Sequence, residues 1–168
     1  LRDLRRMPVQ APLQVHTSRV LPEWIDYNGH MNVAFYMLAF DHATDALFDH
    51  IGLGEEYKNK YNYSTFTLEG HITYDQEVLE GDPLSFKTYL LDYDAKRMHY
   101  FHEMYHAEKG YLAATNEMIT MHIDMSARRS TPFAPEMLEK IEQVMAAHRN
   151  LPRPEKVGRV IGIRRKSG

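Results

Sequence analysis

The 168-residue sequence contains no cysteine. That absence excludes disulfide bonds, cysteine-ligated zinc and a cysteine nucleophile. The sequence also has no run of 18 apolar residues, so it offers no transmembrane helix. Its first six residues lack the apolar core that is typical of a signal peptide. We therefore expect a cytoplasmic protein that does not bind membranes.

Other function classes lack their usual signals. No serine lies in a Gly-x-Ser-x-Gly elbow, which argues against a serine hydrolase. The net charge is −3, which argues against a nucleic-acid binder. Hydrophobic residues make up 43% of the chain, enough for one core. We expect an N-terminal extension at 1–12, a main domain at 13–126, and a C-terminal helix and basic tail at 127–168 packed on that domain.

Positive charge is concentrated at the C-terminus. Residues 149–168 carry seven Lys or Arg residues and one acidic residue. One interpretation is a solvated tail. The other is that some arginines contact the phosphates of a nucleotide-bearing substrate.

Hydrophobic periodicity predicts a long helix over 33–51, with Asn32 as its N-cap and Gly52 as its stop. A short helix is expected at 55–60 and a C-terminal helix at 135–148. Alternating segments and turn residues predict strands at 13–20, 66–78, 84–93, 97–107 and 111–124. Long antiparallel strands with one apolar face need cover, and the long helix can provide it. The sequence therefore predicts an α+β fold.

The segment from Trp24 to Asn32 lies just before the long helix and is the most informative part of the chain. A helix start carries free backbone N–H groups and a partial positive charge. A carboxylate at this point can attack, or can activate water, while the helix pole holds an oxyanion. This pairing is suited to acyl transfer.

Residues 26–32 spell Asp-Tyr-Asn-Gly-His-Met-Asn, which resembles the Asp-x-Asn-x-His-x-Asn signature of hotdog-fold thioesterases of the 4-hydroxybenzoyl-CoA type. The resemblance extends over about residues 14–165 and includes Tyr-Asp-Gln-Glu at 74–77 and Gly-Asp at 81–82. Three further segments are similar to a subgroup of betainyl-CoA thioesterases that occur alone or fused behind carnitine dehydrogenase. They lie at 96–104, 113–117 and 161–165.

The resemblance implies a hotdog fold, in which an antiparallel sheet wraps around one long central helix, here with an extra C-terminal helix. It implies hydrolysis of a short acyl-CoA to acid and CoA, with betainyl-CoA of carnitine breakdown as the preferred substrate. Neither a cofactor nor a metal is required. Hotdog proteins join their sheets edge to edge, so we expect a homodimer or a dimer of dimers with sites at the seam.

Asp26 is the leading catalytic candidate, either as a nucleophile that forms a mixed anhydride or as a general base on water. Asn28 and His30 could orient the thioester or the water, or could cap and shape the turn. Gly29 would let the backbone approach a ligand closely. We expect Asn32 to be a cap rather than a catalyst.

Glu69 and Glu77 are the candidates for a second carboxylate. On one strand they would share a face but lie about 26 Å apart, so both could not serve one centre. Each could equally be an outward-facing strand residue.

Several residues are candidates for substrate binding. They are Trp24, Tyr27, Gly29, Met31, Asn32, Tyr36, Lys96 and Arg97. The aromatic ones could form a cation–π cage around a trimethylammonium group, or belong to the core. Lys96 and Arg97 could bind CoA phosphates, or simply be solvated turn residues.

Two other functions remain open. The protein could bind acyl-CoA without turning it over, as a sensor. Residues 102–106 also spell His-Glu-x-x-His, a zinc-protease pattern through His102, Glu103 and His106. That pattern binds zinc on a helix, whereas residues four apart on the predicted strand lie about 13 Å apart, so we interpret the match as accidental.

Overall fold

The computed structural model describes residues 8–168. It contains three α-helices and one antiparallel sheet of six strands. The helices are α1 (Val33–Ile51), α2 (Glu55–Tyr61) and α3 (Pro135–His148). The strands are β1 (Thr17–Arg19), β2 (Tyr63–Tyr74), β3 (Pro83–Tyr93), β4 (Arg97–His106), β5 (Leu112–Asp124) and β6 (Arg129–Ser130).

The strands lie in the order β1-β3-β4-β5-β2, and β6 pairs with the end of β5. The face that α1 covers, the inner face, carries buried side chains such as Tyr100 and His102. This architecture confirms the predicted α+β class and the hotdog arrangement of a sheet on one long helix. The two edges differ, because β1 has three residues and β2 has twelve.

Helix α1 has the predicted bounds. The side chain of Asn32 accepts a hydrogen bond from the N–H of Ala34 at 3.0 Å, as an N-cap should. Gly52 ends the helix with a φ of 87°, in the left-handed region that favours glycine.

Strand β2 differs from the prediction. It ends at Tyr74 rather than at residue 78, because the N–H groups of Asp75 and Gln76 both donate to the carbonyl of Ala113. Glu77 therefore lies in the connection to β3. The expectation that Glu69 and Glu77 share one strand face is wrong.

The first strand is also shorter than predicted. Only Thr17–Arg19 pairs with β3, and Leu13 forms an isolated bridge with Thr88. The C-terminal helix and the short α2 lie where they were expected. No helix among residues 8–168 is long and apolar enough to cross a bilayer.

The basic tail that follows α3 runs across the outer face of the sheet. Lys156 forms an ion pair with Asp75, and the N–H of Gly158 donates to the carboxylate of Glu117 at 2.6 Å. Beyond this point Val160, Ile161 and Ile163 are exposed.

Candidate active site

The segment before α1 folds back on itself as a small loop. The N–H of Gly29 donates to the carbonyl of Asp26 at 3.0 Å, and the N–H of Asp26 donates to the carbonyl of His30 at 3.2 Å. Gly29 has a φ of 82°, which explains why glycine suits the tip of this turn. Ile25 and Met31 pair across the base of the loop.

Two donors hold the carboxylate of Asp26. The backbone N–H of Asn28 donates to Oδ1 at 2.8 Å, and the amide Nδ2 of Asn32 donates to Oδ2 at 3.2 Å. Asn28 thus acts through its backbone. Both bonds fix the position of the carboxyl group.

Asn32 connects this carboxylate to the helix. Its Oδ1 caps the N–H of Ala34 while its Nδ2 donates to Asp26. The cap leaves the N–H of Val33 without an intrahelical acceptor. A fixed carboxylate therefore lies beside the positive end of a 19-residue helix. That arrangement can hold an oxyanion next to a base or a nucleophile.

The loop is anchored to the sheet through the connection between β2 and β3. The N–H of Met31 donates to the carbonyl of Val78 at 3.0 Å. Glu77, the neighbour of Val78, has its own carbonyl held by the hydroxyl of Tyr111 at 2.8 Å. Its exposed side chain therefore lies near the loop, and its charge contributes to a raised pKa at Tyr36, after the larger effect of burial.

Glu69 lies elsewhere. It pairs with Ile119 across β2 and β5, which places its side chain on the outer face, away from α1. There it lines a cleft with His71, His99 and Glu117. The structure thus brings Glu77 to the Asp26 loop and separates Glu69 from it.

The aromatic candidates are mostly part of the core. Trp24 is 4% exposed and stacks on Phe35, and Tyr36 is 5% exposed and meets Tyr74 edge-on. Met31 is buried in the same hydrophobic cluster. Tyr27, in contrast, is 97% exposed at the loop. Trp24 and Tyr36 are almost fully buried, which leaves little of either ring for a cation–π cage.

Lys96 and Arg97 lie at the turn between β3 and β4, at the opposite end of the sheet from Asp26. Arg97 forms an ion pair with Asp94, which raises the pKa of Arg97 and lowers that of Asp94. Lys96 contacts the hydroxyl of Ser130 at 3.4 Å. Within one chain, Lys96 and Arg97 therefore lie away from the carboxylate of Asp26.

The His-Glu-x-x-His segment lies on strand β4, as expected. His102 is buried between the hydroxyls of Thr44 and Thr88. His106 accepts a hydrogen bond from the N–H of Lys109. Within residues 8–168, no group of three or more His, Cys, Asp or Glu side chains is placed to hold a metal ion.

Known proteins are similar to this chain over most of its length. Residues 20–141 match the family model of the thioesterase-like superfamily. The chain is 45% identical over 151 residues to the betainyl-CoA thioesterase of Pseudomonas aeruginosa, covering 90% of this chain and 95% of that protein. It is 37% identical over 156 residues to the L-carnitine dehydrogenase/betainyl-CoA thioesterase of Agrobacterium fabrum, covering 92% of this chain and 32% of that longer protein.

Solved structures are similar as well. One is a hypothetical protein of Staphylococcus aureus in complex with CoA, with a TM-score of 0.85 and 33% identity, covering 93% of this chain and 99% of that chain. Another is a putative thioesterase of Pseudomonas putida, with a TM-score of 0.79 and 32% identity, covering 94% of this chain and all of that chain (100%). The chain therefore belongs to the thioesterase-like superfamily, and it is a thioester hydrolase with the hotdog fold.

Proposed function

We propose that this protein hydrolyses acyl-CoA thioesters through Asp26, and that its preferred substrate is betainyl-CoA. The observation that carries the proposal is the carboxylate of Asp26, fixed by Asn28 and Asn32 beside the N-terminus of α1. A base or nucleophile next to preorganised N–H donors is the arrangement that acyl transfer requires.

Two routes are compatible with this geometry. As a general base, Asp26 takes a proton from water, and the resulting hydroxide attacks the thioester carbonyl carbon. As a nucleophile, Asp26 attacks that carbon itself, and water then hydrolyses the mixed anhydride. On either route the N–H groups at the start of α1 hold the oxyanion, the C–S bond breaks, and CoA leaves as a thiolate that is then protonated.

The substrate rests on the relatives. Two curated proteins that this chain matches over at least nine-tenths of its length carry betainyl-CoA thioesterase in their names. The Staphylococcus aureus neighbour was solved with CoA. We propose that CoA is the common part of the substrate and that the betainyl group is the specific part.

Self-association is part of the proposal. Strand β2 is a long edge strand whose residues 66–70 are exposed, and among the described strands it pairs only with β5. Exposed apolar side chains lie along it and beside the Asp26 loop; they are Tyr27, Val33, Phe66, Leu68, Tyr74 and Leu79. A long edge with apolar side chains needs cover, and a second copy of the chain provides it by pairing β2 with β2.

The test is thiol release from a panel of acyl-CoA substrates that includes betainyl-CoA, with wild type and Asp26→Asn side by side. The variant keeps the shape of the side chain and removes its charge, so kcat should fall about 10²- to 10⁴-fold. Asp92→Asn, at an exposed aspartate of β3, is the matched control and should retain wild-type activity.

The same assay distinguishes hydrolysis from the sensor interpretation, in which the protein binds acyl-CoA without turning it over. Catalytic release of CoA by wild type supports hydrolysis. Stoichiometric binding of betainyl-CoA without release of thiol would overturn the proposal. Activity that survives Asp26→Asn unchanged would show that another group carries the chemistry.

A further inference from the structure

The position of the Asp26 loop depends on the connection between β2 and β3, residues 75–78. The N–H of Met31 donates to the carbonyl of Val78 at 3.0 Å, and this hydrogen bond links the loop to the connection. Val78 is 0% exposed, so this end of the connection is packed in the core. Whatever restrains residues 75–78 therefore also restrains the loop that carries the Asp26 carboxylate.

Hydrogen bonds from β5 and from the residue just before it hold the backbone of the connection. The N–H groups of Asp75 and Gln76 both donate to the carbonyl of Ala113, at 2.9 Å and 3.1 Å. The hydroxyl of Tyr111 donates to the carbonyl of Glu77 at 2.8 Å. These contacts fix the peptide groups of the connection and leave the carboxylate of Asp75 available to other partners.

One partner of the Asp75 carboxylate comes from the C-terminal tail. The ammonium group of Lys156 forms an ion pair with Oδ1, and the hydroxyl of Thr73 donates to Oδ2 at 3.0 Å. The side chains of Lys156 and Asp75 are 25% and 17% exposed. An ion pair that is largely shielded from water is stronger than an exposed one, because the local dielectric constant is lower. The pair joins the tail to the connection although 81 residues separate them in sequence.

The tail has a second point of attachment just beyond Lys156. The N–H of Gly158 donates to Oε1 of Glu117 at 2.6 Å, and the ring nitrogen Nε2 of His99 lies 2.8 Å from Oε2. Burial acts to raise the pKa of Glu117, but these two hydrogen bonds lower it, and the pKa lies below its ordinary value. Glu117 is therefore ionised at neutral pH and holds the tail beside the Lys156 ion pair.

These contacts separate Lys156 from the other basic residues of the tail. The two interpretations of the basic tail were a solvated segment and a segment that contacts substrate phosphates. Lys156 fits neither, because its charge is already paired with Asp75 on the outer face of the sheet. Ordering a segment that has no helix or strand of its own costs about 1–2 kcal/mol per residue in conformational entropy. The ion pair offsets part of that cost exactly where the tail meets the connection.

From these contacts we infer that Lys156 is a positioning residue for the reaction. Its ion pair with Asp75 restrains the 75–78 connection, and the connection transmits that restraint to the Asp26 loop. Glu77, the candidate for a second carboxylate, lies on the same connection and is positioned with it. This inference rests on the proposed function and adds to it a part for the C-terminal tail.

The size of the expected effect follows from the geometry that acyl transfer requires. A misplacement of about 1 Å at a reacting group can cost about 100-fold in rate. Loss of the Lys156 charge loosens the connection from one side only, because Ala113 and Tyr111 still hold its backbone. We therefore expect a smaller loss, about 10-fold in kcat, with KM close to the wild-type value.

The first experiment measures kcat and KM by thiol release, on the acyl-CoA that the wild type hydrolyses fastest. Lys156→Met removes the charge and keeps an unbranched side chain, and its kcat should fall about 10-fold. Lys156→Arg keeps the charge and should retain most of the wild-type kcat. Lys166→Met removes the same charge from the exposed end of the tail, and it should leave both constants unchanged.

Asp75→Asn tests the other half of the ion pair. Because Lys156 acts through Asp75, this variant should lose kcat by a similar factor. The variant that combines Asp75→Asn with Lys156→Met should be no slower than the slower single variant. Losses that multiply, to about 100-fold in the double variant, would show that the two residues act independently and would overturn the inference.

The second experiment observes the loop itself and does not depend on catalysis. Amide hydrogen exchange at Met31 should be faster in Lys156→Met than in the wild type, while exchange in the middle of α1 should stay the same. Lys166→Met is again the control. Unchanged exchange at Met31 would overturn the inference even if kcat fell, because the restraint would then not reach the loop.

The kinetic constants separate the remaining outcomes. A raised KM at unchanged kcat in Lys156→Met would assign the residue to substrate binding and would contradict the positioning role. A wild type that releases no thiol from any acyl-CoA would instead overturn the proposed function, while exchange at Met31 would still report whether Lys156 restrains the loop.

Discussion

Asn32 has two roles at the residue scale, because its amide group has two ends. The oxygen caps α1 at Ala34, and the nitrogen holds the carboxylate of Asp26. The sequence suggested the cap, since asparagine before a periodic apolar segment is a common N-cap. It did not reveal the bond to Asp26, because a loop must close before residues six apart can meet.

The two roles can be separated by substitution. Asn32→Ser should keep the cap and remove the donor to Asp26, so the free energy of unfolding should stay close to the wild-type value. The kcat should fall about 10-fold, as expected for a lost hydrogen bond to a charged group. Asn32→Ala should lose both, with a further cost of about 1 kcal/mol in stability. Urea titration and thiol-release kinetics on both variants would measure this, and a wild-type kcat in Asn32→Ser would contradict the role assigned to the amide nitrogen.

At the scale of elements, each of the three helices is joined to the sheet by one buried histidine. His102 on β4 bonds to Thr44 of α1, and His122 on β5 bonds to Tyr57 of α2. His148 on α3 accepts a hydrogen bond from the N–H of Leu90 on β3. Burial lowers the pKa of all three, and that of His102 to about 3. The helices therefore pack on the sheet through neutral imidazoles.

This packing predicts acid sensitivity. In the unfolded chain each histidine takes a proton near its ordinary pKa of about 6.5, whereas in the folded state it stays neutral to lower pH. The stabilising contribution of each neutral histidine is thus complete above about pH 6.5 and is lost as the pH falls below that value. For His102 the loss continues until about pH 3. His102 should remove about 1.4 kcal/mol of stability per pH unit in this range, and His122 and His148 lower the stability in the same direction.

Urea unfolding of wild type and His102→Gln between about pH 7 and pH 5 measures this slope. In the variant, the slope of the free energy of unfolding against pH should be smaller by the contribution of one histidine. Equal slopes in His102→Gln and wild type would mean that His102 does not titrate on unfolding.

The elements also show what the sequence could predict. Helix α1 was predictable at both ends because Asn32 and Gly52 are local signals. The end of β2 was not, because residues 74–78 contain no Gly or Pro and the strand stops through contacts with Ala113, almost forty residues away in sequence.

At the scale of the whole molecule, the proposed dimer pairs two β2 edges, and we expect its sites at the seam between the copies. The monomer leaves Phe66 and Leu68 exposed by 43% and 53% at the centre of this edge. Activity should therefore depend on the dimer, even though the apolar residues of this edge take no part in the chemistry.

Leu68→Lys tests this dependence. Lysines on two paired β2 edges repel each other and lose apolar contact, so the variant should become monomeric at micromolar concentration. Its kcat/KM for betainyl-CoA should fall about 100-fold while its far-UV circular dichroism stays native, because Asp26 keeps its own loop but the expected seam between the copies is lost. Leu21→Lys, at an exposed leucine beside the opposite edge strand β1, is the control and should remain dimeric and active. Light scattering would measure the oligomeric state of both variants, and thiol-release kinetics would measure their activity. A folded Leu68→Lys monomer with wild-type activity would place the whole site within one chain.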